Sequence, residues 1–189
     1  MTTIRVIGGQ WKRSPIDVLP VPGLRPTPDR VRETLFNWLG QDLTGWRCLD
    51  PFAGSGALGF EAASRGAAAV TLIEQRADLV RALEAVRQRL SATQVDIFRA
   101  DSAVWLTSRP PQPQDLILLD PPFAADWLPR VLPWVMPWLA RDGLLYIEAE
   151  APVDAGLLAR CGNLPLQIRR TGRAGQVHYH LLEHVAPGG

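Results

Sequence analysis

Apolar and polar residues follow two rhythms along this chain. Val31, Leu35, Trp38 and Leu39 recur at helical spacing and predict an amphipathic helix that ends at Gly40. Thr27 is a good N-cap for that helix and Pro28 a good first helical residue. From Arg47 onward, short apolar runs alternate with helix-length segments. Strands are predicted over 48–49 running into Asp50, 69–73 ending at Glu74, 95–98 ending near Asp101, 115–119 ending at Asp120, and 143–148. Helices are predicted over 57–65 and 77–90. Short strands that end in charged residues and alternate with helices predict an α/β fold on a doubly wound, mostly parallel sheet.

The two ends of the chain read differently. Residues 4–7 and the stretch after Gly8-Gly9 are expected to form a small hairpin with Gly-Gly as its turn. Residues 14–28, rich in proline and without periodicity, read as an extended connector. The expected division is an N-terminal hairpin extension over 1–26 and one sheet domain over 27–189. Pro129, Pro133 and Pro137 predict a broken helix over 127–139, with Trp134 and Trp138 as core residues. At the tail, 166–168 and 177–182 flank a glycine-containing loop over 171–175 and predict an antiparallel hairpin at the sheet's edge. His178 and His180 alternate on that strand, but no further ligands stand at metal-binding spacing, so no metal is expected.

Composition adds limits rather than detail. With 189 residues and 47% hydrophobic content, the chain can build one α/β domain with a sizeable core. No apolar run reaches membrane-spanning length, and the first residues lack a signal-peptide pattern, so a soluble, cytoplasmic protein is expected. Cys48 and Cys161 make no disulfide framework, and Cys48, in an apolar run, reads as a buried thiol. The net charge of +1 hides an asymmetry. Arg5, Lys12, Arg13, Arg25, Arg30 and Arg32 face only Asp17 and Asp29 in the first 32 residues, and Arg169, Arg170 and Arg173 form a second basic group. Local basic patches on a nearly neutral chain suit an anionic partner met on one face.

Two constellations carry chemistry. In the first, running from Leu49 to Gly59, Gly54, Gly56 and Gly59 match a dinucleotide-binding loop, and Glu74 stands where a ribose-binding acid would. Asp50 argues against a dinucleotide, because a carboxylate at that strand end would repel a pyrophosphate. S-adenosylmethionine has no phosphate; its sulfonium and ammonium favour an acid nearby. Glu74 suits the ribose diol, and Asp101 and Ser102 are placed to reach the adenine edge, unless the latter two serve only as helix caps. Phe52, Ala53, Ser55 and Gln75 are candidate cofactor contacts beside them. The second constellation, Asp120-Pro121-Pro122-Phe123, closes the strand over 115–119. Two prolines fix the backbone and leave the Pro121 carbonyl rigidly aimed. Asp120 and that carbonyl can accept both N–H groups of a ring-conjugated amine and stabilise positive charge as it develops. Phe123 can stack on the base.

The order Asp50-Pro51-Phe52-Ala53-Gly54-Ser55-Gly56 followed by Asp120-Pro121-Pro122-Phe123 resembles the class I amino-methyltransferases, which have an Asn/Asp-Pro-Pro-aromatic motif. Arg5-Val6-Ile7-Gly8-Gly9-Gln10-Trp11, the block Leu24 to Trp38, and Ala174-Gly175-Gln176-Val177 narrow the resemblance to the RsmD family. The resemblance spans nearly the whole chain. It implies a Rossmann-like fold of seven strands ending in an antiparallel hairpin, and methyl transfer from S-adenosylmethionine to N2 of one guanine in 16S rRNA. It places Asp50, Gly54, Gly56, Glu74 and Asp101 on the cofactor and residues 120–123 on the target base. The block over 25–37, Thr27 included, would cover the cofactor from the other side. The implied partner is 16S rRNA in the small ribosomal subunit or an assembly intermediate, with no membrane and no obligate protein subunit, so a monomer is expected.

Arg5, Lys12, Arg13, Arg25, Arg32, Arg169, Arg170 and Arg173 are the expected phosphate contacts. Two other readings remain. An adenine-N6 DNA methyltransferase would share the strand-end motif but usually needs an added domain to read duplex sequence. A non-catalytic RNA-binding subunit would be expected to have lost the acid at 120.

Overall fold

The computed structural model describes residues 2–22, 26–122, 127–162 and 164–185. The chain forms two compact units, Met1–Ser102 and Ala103–Gly189. In the first, β1 (Thr2–Arg5) pairs antiparallel with β2 (Pro15–Val18), and α1 (Asp29–Trp38) follows. Then β3 (Arg47–Asp50), α2 (Ala57–Ser64), β4 (Ala69–Glu74), α3 (Ala77–Leu90) and β5 (Val95–Arg99) alternate, the strands lying parallel in the order β5-β4-β3. In the second unit, α4 (Ser102–Thr107, its first residue the last of unit one) precedes β6 (Gln114–Leu119) and α5 (Trp127–Val135). β7 (Leu139–Ala149), α6 (Ala155–Arg160), β8 (Leu166–Ala174) and β9 (Val177–His184) complete it. β6 and β7 are parallel, while β9 runs antiparallel to both β7 and β8. Counted over both units, the sheet has seven strands and is mostly parallel, the class expected from the sequence.

Local patterning explains most element limits. On α3, Leu79, Leu83 and Val86 are buried at three- to four-residue spacing, Asp78 sits in the first turn, and Arg87 and Arg89 sit in the last. Ser91 then ends the helix in the left-handed region at φ 52°. α2 is buried on all sides, so it carries no amphipathic period, and its start is set by the glycine loop instead. The expected break after residue 127 is present. Pro133 lies inside α5, which gives way to a short 3₁₀ turn over Met136–Trp138. Trp138 is buried against Trp105, ring centroids 4.8 Å apart, and its Nε1 donates to the Leu106 carbonyl at 3.1 Å. Trp134 is half-buried. Cys48 and Cys161 are both buried free thiols.

The N-terminal expectations need correction. Gly8-Gly9 is not the hairpin turn, and the supposed connector over 14–28 contains β2, paired with β1 from Thr2↔Val18 to Arg5↔Pro15. Pro15 is tolerated because it opens an edge strand, where a missing N–H costs least. The two glycines are needed for close approach instead. A Cβ on Gly9, whose φ is +73°, would lie 1.9 Å from the Ser64 carbonyl oxygen. α1 begins one residue later than expected, at Asp29, with Pro28 in the cap position at ψ 148° and no side-chain cap. The tail hairpin is also longer than expected, because β8 runs on to Ala174 and its turn shrinks to Gly175-Gln176.

One buried carboxylate ties the N-terminal segment down. Glu61 on α2 accepts the backbone N–H groups of Ile7 and Gly8, each at 2.8 Å. It also pairs with Arg32 at 3.4 Å and with Arg65 at 2.8 Å. Ser64, one turn on, accepts from Trp11 N at 3.0 Å and donates to the Gly8 carbonyl at 2.6 Å. Arg89 of α3 holds the other side of the hairpin through Asp17 and the Pro15 carbonyl. In the second unit, His180 is 2% exposed and its Nε2 accepts from Val153 N at 3.1 Å. Burial, and secondarily the charge of His178, push its pKa below the usual 6.5. Among the described residues, no helix is long and apolar enough to cross a membrane.

Two outcomes are expected. Glu61→Ala removes the acceptor shared by two arginines and two backbone donors and should cost about 3–5 kcal/mol of stability in urea denaturation. Because the folded pKa of His180 is depressed, its contribution to stability is full above about pH 6.5 and lost as pH falls below that value. Thermal melting between about pH 7.5 and pH 5 should therefore fall more steeply for the wild type than for His180→Gln.

Candidate active site

The first unit gathers the carboxyl ends of three parallel strands, where open α/β sheets bind their ligands. β3 ends in Asp50, which is 2% exposed and accepts the Phe52 N–H at 3.3 Å. The loop that follows turns on two glycines in the left-handed region, Gly54 at φ 52° and Gly56 at φ 77°. A Cβ on Gly56 would lie 2.6 Å from Leu83 and 2.7 Å from the Phe60 ring, so only glycine fits there. Ala53 is buried with its N–H on the Ile73 carbonyl at 3.0 Å, and Phe52 and Ser55 are half-buried.

Glu74 closes this loop onto the sheet. One of its oxygens accepts the Gly54 N–H at 3.1 Å and the other the Arg76 N–H at 2.8 Å. Ser102 is buried and donates its hydroxyl to the Pro51 carbonyl, so it braces the loop from the end of β5. Asp101 and Gln75 are exposed at the same strand ends. Thr27 is buried, and its carbonyl accepts from Arg32 Nε at 3.2 Å.

The donor set tests the two cofactors directly. In a pyrophosphate site the loop N–H groups would be aimed at an anion. Here the Gly54 N–H is spent on Glu74 and the Phe52 N–H on Asp50. A cradle of carboxylates held by backbone amides suits a cationic nucleoside, and S-adenosylmethionine fits it. Asp50 and Glu74 are the residues that would hold it. When bound, that cofactor supplies an electrophilic methyl group on a sulfonium.

The second unit carries the other expected motif. Asp120 follows β6 directly and is half-buried, Pro121 is buried, and Pro122 is exposed; Phe123 lies outside the described residues. On the neighbouring β7, Tyr146 is fully buried and its hydroxyl donates to Glu148, also buried, at 3.0 Å. Burial first, then the negative charge of Glu148 and its hydrogen bond, then Asp120, hold the Tyr146 phenol well above its usual 10. Sequence reasoning passed over this pair. The signal was present, since β7 reaches its carboxyl end with an acid as β3 and β4 do.

The expected phosphate contacts divide. Arg5, Lys12 and Arg13 are exposed on the N-terminal segment, and Arg25 lies outside the described residues. Arg170 and Arg173 are exposed on β8, while Arg169, also exposed, pairs with Glu183 at 2.9 Å. Arg32 requires correction. It is 0% exposed, bound to Asp29 at 2.5 Å and to Glu61, and donates to the Arg5 carbonyl at 3.0 Å. A guanidinium enclosed by protein acceptors is a structural brace and cannot meet a phosphate. Among the described residues, no group of three His, Cys, Asp or Glu could hold a metal ion.

A family model described as conserved hypothetical protein 95 matches residues 4–183. Over 187 residues the chain is 41% identical to the ribosomal RNA small subunit methyltransferase D of Escherichia coli K12, covering 98% of this chain and 92% of that one. The chain belongs to this family, the RsmD family. A relative of the same name from Buchnera aphidicola subsp. Baizongia pistaciae is 36% identical, over 98% of this chain and 94% of that one. The solved structure of the Escherichia coli protein yhhF superposes with a TM-score of 0.81 at 39% identity, covering 98% of this chain and 100% of that one. As an RsmD-family chain, it is an S-adenosylmethionine-dependent methyltransferase, the enzyme class its glycine loop and strand-end motif led us to expect.

Glu74→Gln removes the charge yet keeps an oxygen for the loop amide. It should weaken S-adenosylmethionine binding roughly 10-fold in calorimetry, the size of one charge-assisted hydrogen bond. Unchanged affinity would remove Glu74 from the cofactor.

Proposed function

We propose that the chain transfers a methyl group to the exocyclic N2 of a guanine in 16S rRNA, presented by the small ribosomal subunit or an assembly intermediate. The observation that carries this reading is the Asp120-Pro121-Pro122 corner at the end of β6, in a chain similar over almost its whole length to rRNA small subunit methyltransferases.

The chain's own groups do work suited to a weak nucleophile. The lone pair of the guanine amine is delocalised into the ring. Asp120 and the Pro121 carbonyl accept its two N–H groups, turning the nitrogen and stabilising the charge it gains as the new C–N bond forms. Once methylated, the nitrogen is acidic and gives up one proton, so no strong base is required. Prolines at 121 and 122 keep the corner from relaxing when the base is absent. A guanine in folded RNA must be splayed out to reach such a corner. Lys12, Arg13, Arg170 and Arg173, all exposed, are the candidate contacts to the surrounding phosphates.

The test uses labelled S-adenosylmethionine with small subunits lacking the modification, and with naked 16S rRNA and DNA in parallel. Label recovered as N2-methylguanine from the subunit is the expected result; N6-methyladenine in DNA would overturn the substrate. Asp120→Ala should lower kcat by about 100-fold or more, the scale of losing a transition-state hydrogen-bonding group. Arg13→Glu and Arg170→Glu should each weaken binding to the subunit and reduce the slope of log affinity against log salt by about one.

A further inference from the structure

The first unit has a second concavity, at the opposite end of α2 from the glycine loop. It is an open cleft of about 510 Å³. α2 starts at Ala57, directly after that loop, and its eight residues set its two ends about 12 Å apart. Four segments meet around the cleft. They bring Gln10 of the N-terminal segment, Gln41 and Asp42 after α1, Arg65 at the end of α2, and Gln94 before β5.

Hydrogen bonding sorts these groups. Arg65 is spent: it is buried, pairs with Glu61 and donates to Gln41 Oε1 at 2.8 Å. Gln41 is spent with it, because its Nε2 donates to Asn37 Oδ1 at 2.6 Å. Three groups keep capacity for a ligand. Gln10 is exposed, and its side chain makes no hydrogen bond among the described residues. Gln94 is half-buried and uses only its amide N–H, on the Ala63 carbonyl at 3.4 Å. Asp42 is exposed, and the amide and hydroxyl of Thr44 both donate to just one of its oxygens, at 2.9 and 2.6 Å.

A phosphate does not suit this wall, since the Asp42 carboxylate repels it and Glu61 already balances Arg65. An apolar group suits it no better, because it would strip water from amides without replacing their hydrogen bonds. A nucleobase is uncharged, and its edge carries the N–H donors and ring acceptors that amides and carboxylates match. The cations that the cleft lacks stand beside it. Lys12 and Arg13 are exposed, and their backbone N–H groups are tied to the carbonyls of Gly9, which lines the cleft, and of Val6.

We propose that this cleft holds one unstacked nucleotide of the substrate RNA, distinct from the target guanine. Its base lies among Gln10, Asp42 and Gln94, and its phosphate on Lys12 and Arg13. Asp42 and Gln94 Oε1 are acceptors, so the favoured base bears an exocyclic amine and uracil is disfavoured. The proposal rests on the RNA-substrate reading above.

The test uses the full chain with S-adenosylmethionine and small subunits lacking the modification. Cys48 and Cys161 are buried, so a Gln10→Cys variant takes an azidophenacyl photocrosslinker at position 10. Expected is a crosslink to one 16S rRNA nucleotide whose base bears an amine. Subunits rebuilt with an abasic site at that nucleotide should raise the wild-type KM about 10-fold at unchanged kcat, the size of two lost hydrogen bonds. Gln10→Ala combined with Gln94→Ala should raise KM equally on ordinary subunits, and the abasic site should then add little. No crosslink to RNA, a crosslink only to ribosomal protein, or an unchanged KM in either experiment would overturn the proposal. So would a joint fall in kcat and melting temperature in the double variant, which marks a structural role. Crosslinking to RNA without methyl transfer to guanine would overturn the guanine-N2 reading and leave the cleft standing.

Discussion

Glu61 is the carboxylate on which the first unit depends. It sits in the middle of α2 and is completely buried. Its two oxygens collect the backbone of residues 7 and 8, the guanidinium of Arg32 from α1, and that of Arg65 from its own helix. The backbone of a helix interior has no spare donors for such a group, so they come from other segments and from the Arg65 side chain, and each is thereby placed. α2 is also the helix that begins at the glycine loop. The contact that anchors the N-terminal segment therefore fixes exposed Lys12 and Arg13 relative to the glycine loop. A hairpin of two four-residue strands would be marginal alone. Its order derives from Glu61, Ser64 and Arg89.

The cradle follows the same rule. Asp50 and Glu74 are acids at strand ends, and each accepts a backbone N–H of its own or a neighbouring turn. Those amides help to hold the acids in place at the strand ends. Acids so placed would favour a positively charged ligand, and the same contacts hold the conformation of the glycine loop. Electrostatics and loop conformation are thus set by the same few hydrogen bonds.

Much of this was legible in the sequence, for identifiable reasons. α3 was read at its observed limits because its buried positions keep a clean period and both ends carry the expected charges. β3, β4 and β6 were legible because each is a short apolar run with an acid at or just beyond its end, whereas β7 begins four residues earlier than its apolar run suggested. β2 was not legible, because it opens on a proline and spans only four residues, while Gly8-Gly9 offered a plausible turn nearby. Glycine signals a permitted conformation without saying whether a turn or a close neighbour requires it. Glu61 was invisible for a different reason. A charge in an alanine-rich stretch reads as a solvated face, and only the donors brought by residues distant in sequence make burial affordable. Glu148 carried a signal, an acid near the end of a strand, yet its burial depends on the strands packed beside β7, which no single segment encodes.

The two kinds of arginine near the N-terminus make the same point energetically. Counted as charges, Arg13 and Arg32 are equal, and both were expected on the RNA. Arg32 differs because Asp29 stands one turn before it and Glu61 opposite it. Its Nε, Nη1 and Nη2 also spread over separate acceptors, on Thr27, Arg5 and Asp29. Only a planar fork with several fixed donors can bridge these points at once; a lysine at 32 would offer a single ammonium and leave acceptors unmatched. Arg13 is exposed in a left-handed turn at φ 72°, where its backbone amide is tied to Val6 and its side chain stands at the surface. The basic surface is therefore smaller than the basic composition, and what remains is borne by residues whose backbone the fold has already fixed.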